Sequence, residues 1–182
     1  LALRHFERER EVIERGMASA ESLGLEASVA RDIMQALIRH SLSNQETHQL
    51  VRSDHGQGQS ALVIGGLGRM GVWISRYLDM VGYGVDVADQ ADGETPFAKV
   101  DDWQGVVHDY DLVVVAAPLR PSNEILLRLA ELQPRCLVFD IGSLKSPMRA
   151  GLDAMRKNGC RVCSVHPMFG PNDVGLSGRH IL

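Results

Sequence analysis

The stretch Ala61–Gly71, ALVIGGLGRMG, constrains the fold more than any other in the chain. Ala61–Ile64 is an apolar run, long enough for a buried parallel strand and too short for a helix. It leads into Gly66-x-Gly68-x-x-Gly71, after which Met70, Trp73, Ile74, Tyr77, Leu78 and Val81 fall at helical spacing. The order is strand, tight turn, helix. The first glycine is expected to permit the turn, the second to let the backbone approach a pyrophosphate, and the third to let helix and strand pack closely. The free N–H groups of the helix start then face the phosphates. Gly65 adds slack, and Arg69 is a candidate partner for a phosphate.

The next strand-like run, Gly84–Asp89 (GVDVAD), ends on an acid about 20 residues further on, the offset at which a carboxylate meets a ribose. Asp89 would accept hydrogen bonds from both ribose hydroxyls and repel a 2′-phosphate, and Gln90 follows it rather than an arginine. These residues together imply a dinucleotide site with NAD as the cofactor.

From Ser60 onward, strand-like and helical runs alternate. Helices are expected over Arg69–Val81, about Ser122–Leu132 and roughly Pro147–Asn158, with a short one over Trp103–His108. Strands are expected over Asp111–Ala117, Cys136–Asp140 and Arg161–Val165, and the stretch from Gln90 to Asp102 is read as irregular. Near-continuous Val, Ile and Leu runs joined by helical crossovers imply an α/β fold, a Rossmann-type doubly wound parallel sheet covered on both faces. Residues 1–48 read instead as two helices. The second, about Ala27 to Glu46, carries Val29, Ala30, Ile33, Met34, Leu37 and Ile38 on a core face that continues through Ser41 to Gln45. Two such helices cannot bury both stripes alone and need a partner. The polar, glycine-bearing stretch 51–59 is the domain boundary between a segment over 1–50 and a domain over 60–182.

Ligands of such sheets lie beyond the carboxyl ends of the strands. That rule gathers the Gly66 loop, Asp89, the Ala117-Pro118-Leu119 turn, Gly142-Ser143-Leu144-Lys145, and His166–Pro171. An imidazole at that edge, His166, suits abstraction of a proton from a substrate hydroxyl. Ser143 could bond the same oxygen or orient the imidazole, with a helix N-cap as its competing role. Lys145 could attract a carboxylate, or be a solvated charge or a helix-end contact.

The segments VIGGLGRMG, GYGVDVADQ, VVVAAPL, FDIGSLKSPM and SVHPMFGP resemble the prephenate dehydrogenase family, and over its whole length the chain resembles the bifunctional chorismate mutase/prephenate dehydrogenases. HPMFGP after a strand, preceded by a D-x-x-S-x-K segment, is the discriminating pair. The resemblance implies that His166 accepts the proton of the prephenate 4-hydroxyl and that Ser143 bonds that hydroxyl. It implies that Gly66, Gly68, Gly71 and Asp89 hold NAD, with Arg69, Met70 and Pro118 beside them, and that the reaction is an oxidative decarboxylation to 4-hydroxyphenylpyruvate in tyrosine biosynthesis. It requires no metal. Arg8-Glu9 and Ser41-x-x-x-Gln45 match residues of the all-helical chorismate mutase, so the first 50 residues resemble a partial mutase segment. On this resemblance the chain is an internal fragment, with an earlier mutase helix and a later dimerising helical domain outside it. The parent is expected to be a homodimer acting on prephenate and, in the mutase half, on chorismate. Arogenate dehydrogenase, or a truncated NAD-binding module without activity, remain the alternatives.

Composition narrows the class further. With 45% hydrophobic and 23% charged residues and a net charge of -4, the chain reads as an ordinary globular protein with no pull toward nucleic acid or an anionic membrane. No run approaches the ~18 apolar residues of a membrane span. The charged start LALRHFERERE has no signal-peptide core, so the cytoplasm is the expected location. Cys136, Cys160 and Cys163 are expected to be buried thiols, and Cys160-x-x-Cys163 is not read as a redox pair.

Overall fold

The computed structural model describes residues 6–53, 56–171 and 181. The chain divides into two compact units, one built on residues 1–49 and the other on residues 50–173. The first contains α1 (Phe6–Ser22) and all but the last turn of α2 (Ala27–Ser53). Gly24, at φ 72°, stops α1 in the left-handed conformation that glycine adopts without strain. Helix α2 continues to Ser53, past the expected end at Glu46 and into the first three residues of the expected linker. That linker's Asp54 and His55 lie outside the described residues, as do residues 172–180 and Leu182.

The second unit is a parallel sheet. In chain order its elements are β1 (Ser60–Ile64), α3 (Arg69–Met80), β2 (Gly84–Ala88), β3 (Ala98–Lys99), α4 (Trp103–Val106), β4 (Leu112–Val115), α5 (Leu119–Leu132), β5 (Leu137–Asp140), α6 (Arg149–Lys157) and β6 (Arg161–Ser164). The strand order is β3-β2-β1-β4-β5-β6, and every pairing between these strands is parallel. The order reverses beside β1, where a doubly wound sheet opens a crevice for ligands.

The alternation of side chains along each strand explains the continuous apolar runs. On β1, Leu62 and Ile64 join Val113, Val115, Leu126, Leu129, Met148 and Met155 in a core beneath α5 and α6. Ala61 and Val63 point the other way, into a second core with Leu78, Val87 and Val114 under α3. Both faces are therefore apolar.

Within the sheet unit the sequence expectation is revised at the following points. Ala98–Lys99 pairs with β2 inside the stretch read as irregular; both residues are exposed, so no burial pattern marks them. Helix α5 begins at Leu119 rather than Ser122, because Pro121 falls in the first turn, where a missing N–H costs nothing. Pro147 belongs to a 3-10 turn, Ser146–Met148, that precedes α6. The thiol expectation holds for Cys136 alone, since Cys160 is half-buried and Cys163 exposed. Three positions apart on extended backbone, Cys160 and Cys163 point to opposite faces and cannot bridge.

Candidate dinucleotide site and the adjoining strand ends

The glycine turn meets the geometric demands of a phosphate cradle, with one redistribution of roles. Gly65, not Gly66, adopts the positive φ, at 87°. Gly66 is required for another reason, because a Cβ there would stand 2.6 Å from the Val87 side chain. At Gly71 a Cβ would lie 2.0 Å from the Gly65 carbonyl oxygen, so any side chain would force helix and turn apart. At Gly68 the nearest atom to a Cβ is the Gly65 oxygen at 3.3 Å. Gly68 is the N-cap of α3 and no side chain caps the helix, so the first-turn N–H groups are left to a ligand.

Asp89 is built into the turn. Its carboxylate accepts the Leu67 N–H at 2.9 Å and the Ala91 N–H at 3.0 Å, one on each oxygen. The Ala88 carbonyl before it accepts from Gly65 at 2.7 Å and Gly66 at 3.3 Å. A carboxylate offers about four lone-pair sites. Two are used by the backbone, and the remainder suit paired ribose hydroxyls.

A cavity of about 760 Å³ opens over the carboxyl ends of β1, β2 and β4, lined by Gly65, Gly68, Asp89 and Pro118 among others. Arg69, Met70, Gly66 and Gly71 are not part of its lining. Sequence reasoning missed its far wall, Trp103, Gln104, Ile125 and Arg128. Arg128 donates to Gln104 Oε1 and to Glu131 Oε2, each at 2.6 Å. Those residues carry no motif, and only the packing of α4 beside α5 brings them to the crevice. The glycine cradle, the anchored carboxylate and the cavity fit a dinucleotide.

Ser143 and His166 follow the neighbouring strands β5 and β6 at the same edge of the sheet. Ser143 is exposed and caps no helix, since the 3-10 turn after it is entered through Lys145. No hydrogen bond joins Ser143 to His166 among the described residues. His166 is half-buried. Three residues beyond it, Phe169 packs its ring on Trp73 of α3 at 4.8 Å, and Trp73 stacks on Tyr77 at 5.4 Å. The loop carrying His166 is thus docked on the helix that starts at the glycine turn. Lys145 is not a solvated charge, because its ammonium lies 2.9 Å from the Asp140 carboxylate.

In the middle of β2, Asp86 accepts a hydrogen bond from Tyr110 at 2.7 Å. Burial, then the bonded carboxylate, push that phenol up, so it stays protonated. In the helical unit Arg8, Ser41 and Gln45 are exposed and Glu9 is half-buried, so the expected core face through Ser41 and Gln45 is open to solvent in the chain. No group of three or more His, Cys, Asp or Glu among the described residues forms a metal site. No described helix is long and apolar enough to cross a membrane.

Taken together, a doubly wound sheet with a glycine cradle and an acid at its second strand defines the nucleotide-binding domain of a dehydrogenase. A family model for the nucleotide-binding domain of prephenate dehydrogenase matches residues 81–180, and the chain belongs to that family. It is 27% identical over 177 residues to the T-protein of Enterobacter agglomerans, covering 97% of this chain and 44% of that protein. It is 28% identical over 122 residues to an arogenate/prephenate dehydrogenase candidate of Methanocaldococcus jannaschii, covering 63% of this chain and 27% of that protein. The chain therefore spans less than half the length of these curated relatives. Among solved structures, a candidate prephenate dehydrogenase of Corynebacterium glutamicum is similar with a TM-score of 0.52 at 21% identity, over 63% of this chain and 38% of the other.

Proposed function

We propose that the full-length protein is an NAD-dependent prephenate dehydrogenase, converting prephenate to 4-hydroxyphenylpyruvate and CO2 in tyrosine biosynthesis. The observation that carries this reading is the convergence of the GSLK and HPMFGP segments at the ends of adjacent strands, on the sheet edge that also holds the glycine cradle. Gly66, Gly68, Gly71 and Asp89 would hold the dinucleotide, with Arg69, Met70 and Pro118 alongside. When bound, the cofactor accepts the hydride released from the ring carbon that bears the hydroxyl. His166 takes the hydroxyl proton as that carbon is oxidised. Ser143 bonds the same oxygen. The bond to the ring carboxylate then breaks, its electron pair enters the ring, and His166 returns the proton to the phenol oxygen. Aromatisation drives the reaction, so the protein's task is positioning and one base.

The decisive measurement is turnover of His166→Asn in the full-length protein, followed as reduction of NAD with prephenate. We expect kcat to fall by roughly 10²- to 10⁴-fold while NAD binding is retained. Unimpaired turnover would remove His166 from the mechanism, and retained NAD binding without turnover in the wild type would favour a binding module. The double name of the Methanocaldococcus jannaschii relative keeps arogenate as a second substrate to be assayed beside prephenate.

The same reading makes the helical unit part of a chorismate mutase, with Arg8, Glu9, Ser41 and Gln45 toward chorismate. Its support is one i, i+4 line, in which the exposed Val29, Ile33 and Leu37 continue into Ser41 and Gln45. It also assigns the protein to the cytoplasm as a homodimer, with small molecules and neither nucleic acid nor membrane as its ligands.

A further inference from the structure

Asp140, the last residue of β5, is completely buried. A carboxylate in that position demands a cation and hydrogen bonds. Its Oδ1 accepts the Gly142 N–H at 2.9 Å and the Lys145 ammonium at 2.9 Å. The same ammonium donates to the Val165 carbonyl at 2.7 Å. The Val165 N–H in turn donates to the Asp140 carbonyl at 3.0 Å. One lysine therefore ties the end of β5 to the residue immediately before His166. Its own backbone is held as well. The Met148 N–H donates to the Lys145 carbonyl at 3.0 Å, and a Cβ at Gly142 would stand 2.4 Å from Met148 Cε, so the segment between them is tightly folded.

We infer that Lys145 is a positioning residue for His166: its ammonium, fixed by the buried Asp140, holds the Val165 carbonyl and with it the backbone that presents the imidazole. Lys145 is 37% exposed while its carboxylate partner has no exposed surface. A surface lysine would give up rotamer freedom for such a bond with little return. Here the buried carboxylate makes the geometry obligatory, and the second bond comes with it. The loop is gripped on both sides of the histidine, by Lys145 before it and by the Phe169 ring on Trp73 after it.

The inference rests on His166 being the base of the proposed dehydrogenase, and its test separates the two. In the full-length enzyme, Lys145→Met leaves Asp140 buried without its cation and risks unfolding, so it is paired with the Asp140→Asn, Lys145→Met double variant, which removes the lone charge. We expect both to lose kcat with prephenate on the order of 10- to 100-fold while the dissociation constant for NAD, read by fluorescence titration, stays within about twofold. Adding Lys145→Met to His166→Asn should cost nothing further, because a residue that acts only through the imidazole has nothing left to position. Recovery of wild-type turnover by the double variant would mean that Lys145 merely neutralises Asp140, and would overturn the inference. So would a full additional loss in the His166→Asn background. If His166→Asn itself were unimpaired, the assignment of the base would fall first. An impaired His166→Asn beside an unimpaired Lys145→Met would overturn the positioning role alone.

Discussion

The two units of the chain handle apolar surface in opposite ways. In the sheet unit, Leu62, Val63, Val113, Val114, Leu126 and Leu129 have no exposed surface. In the helical unit, Val29, Ile33 and Leu37 are 53%, 54% and 59% exposed, and among its described side chains only Ala20 is buried. The difference is geometric. A strand buried on both faces closes its core with its own crossovers, whereas two long helices present stripes that face the same limited partner and cannot both be covered. Side chains in the first unit are thus specified by contacts within the chain, and those in the second are not.

The sharpest way to break this contrast is Gly71→Val. A Cβ at this position meets the backbone oxygen of Gly65 at 2.0 Å, and no rotamer can relieve a backbone clash. We expect a loss of about 4 kcal/mol in the sheet unit, with dinucleotide binding abolished. Both tryptophans, Trp73 and Trp103, lie in that unit, so urea unfolding followed by fluorescence reads it selectively. An unshifted transition would mean that the turn packs less closely than described. Leu126→Ala comes next. Leu126 is fully buried among β-strand and α6 side chains, and truncation should cost about 3 kcal/mol by the same measurement. A cost under about 1 kcal/mol would show that α5 collapses into the space, and the sheet unit would be softer than its burial implies.

What the sequence disclosed follows the same division. Apolar strand runs, the glycine turn and Asp89 were legible because each carries a local requirement: a period, a positive φ or a close approach. Even so, motif logic assigned the turn to Gly66, whereas the positive φ belongs to Gly65, since a glycine pattern records where side chains are forbidden and not why. The far wall of the cavity was illegible. Gln104 and Arg128 meet across 24 positions of sequence only once α4 and α5 have packed. Lys145 was half legible. A lysine in that segment could be noticed, but its partner could not, because neither the burial of Asp140 nor the reach to the Val165 carbonyl has any local signature.

The smallest expected effect falls in the helical unit. Leu37 is 59% exposed on α2, so Leu37→Ser removes little buried area from the chain as described. Its stability change should stay within about 0.5 kcal/mol, part of it the slightly weaker helix propensity of serine. The tryptophan transition should not move, and far-UV circular dichroism, which also reports α1 and α2, should shift by no more than that. The comparison depends on this null. Were Leu37→Ser to cost more than about 1 kcal/mol by circular dichroism alone, a side chain open in one chain would be buried in solution. If that cost also grew with protein concentration, the cover would be a second copy of the chain, because only association makes stability depend on concentration.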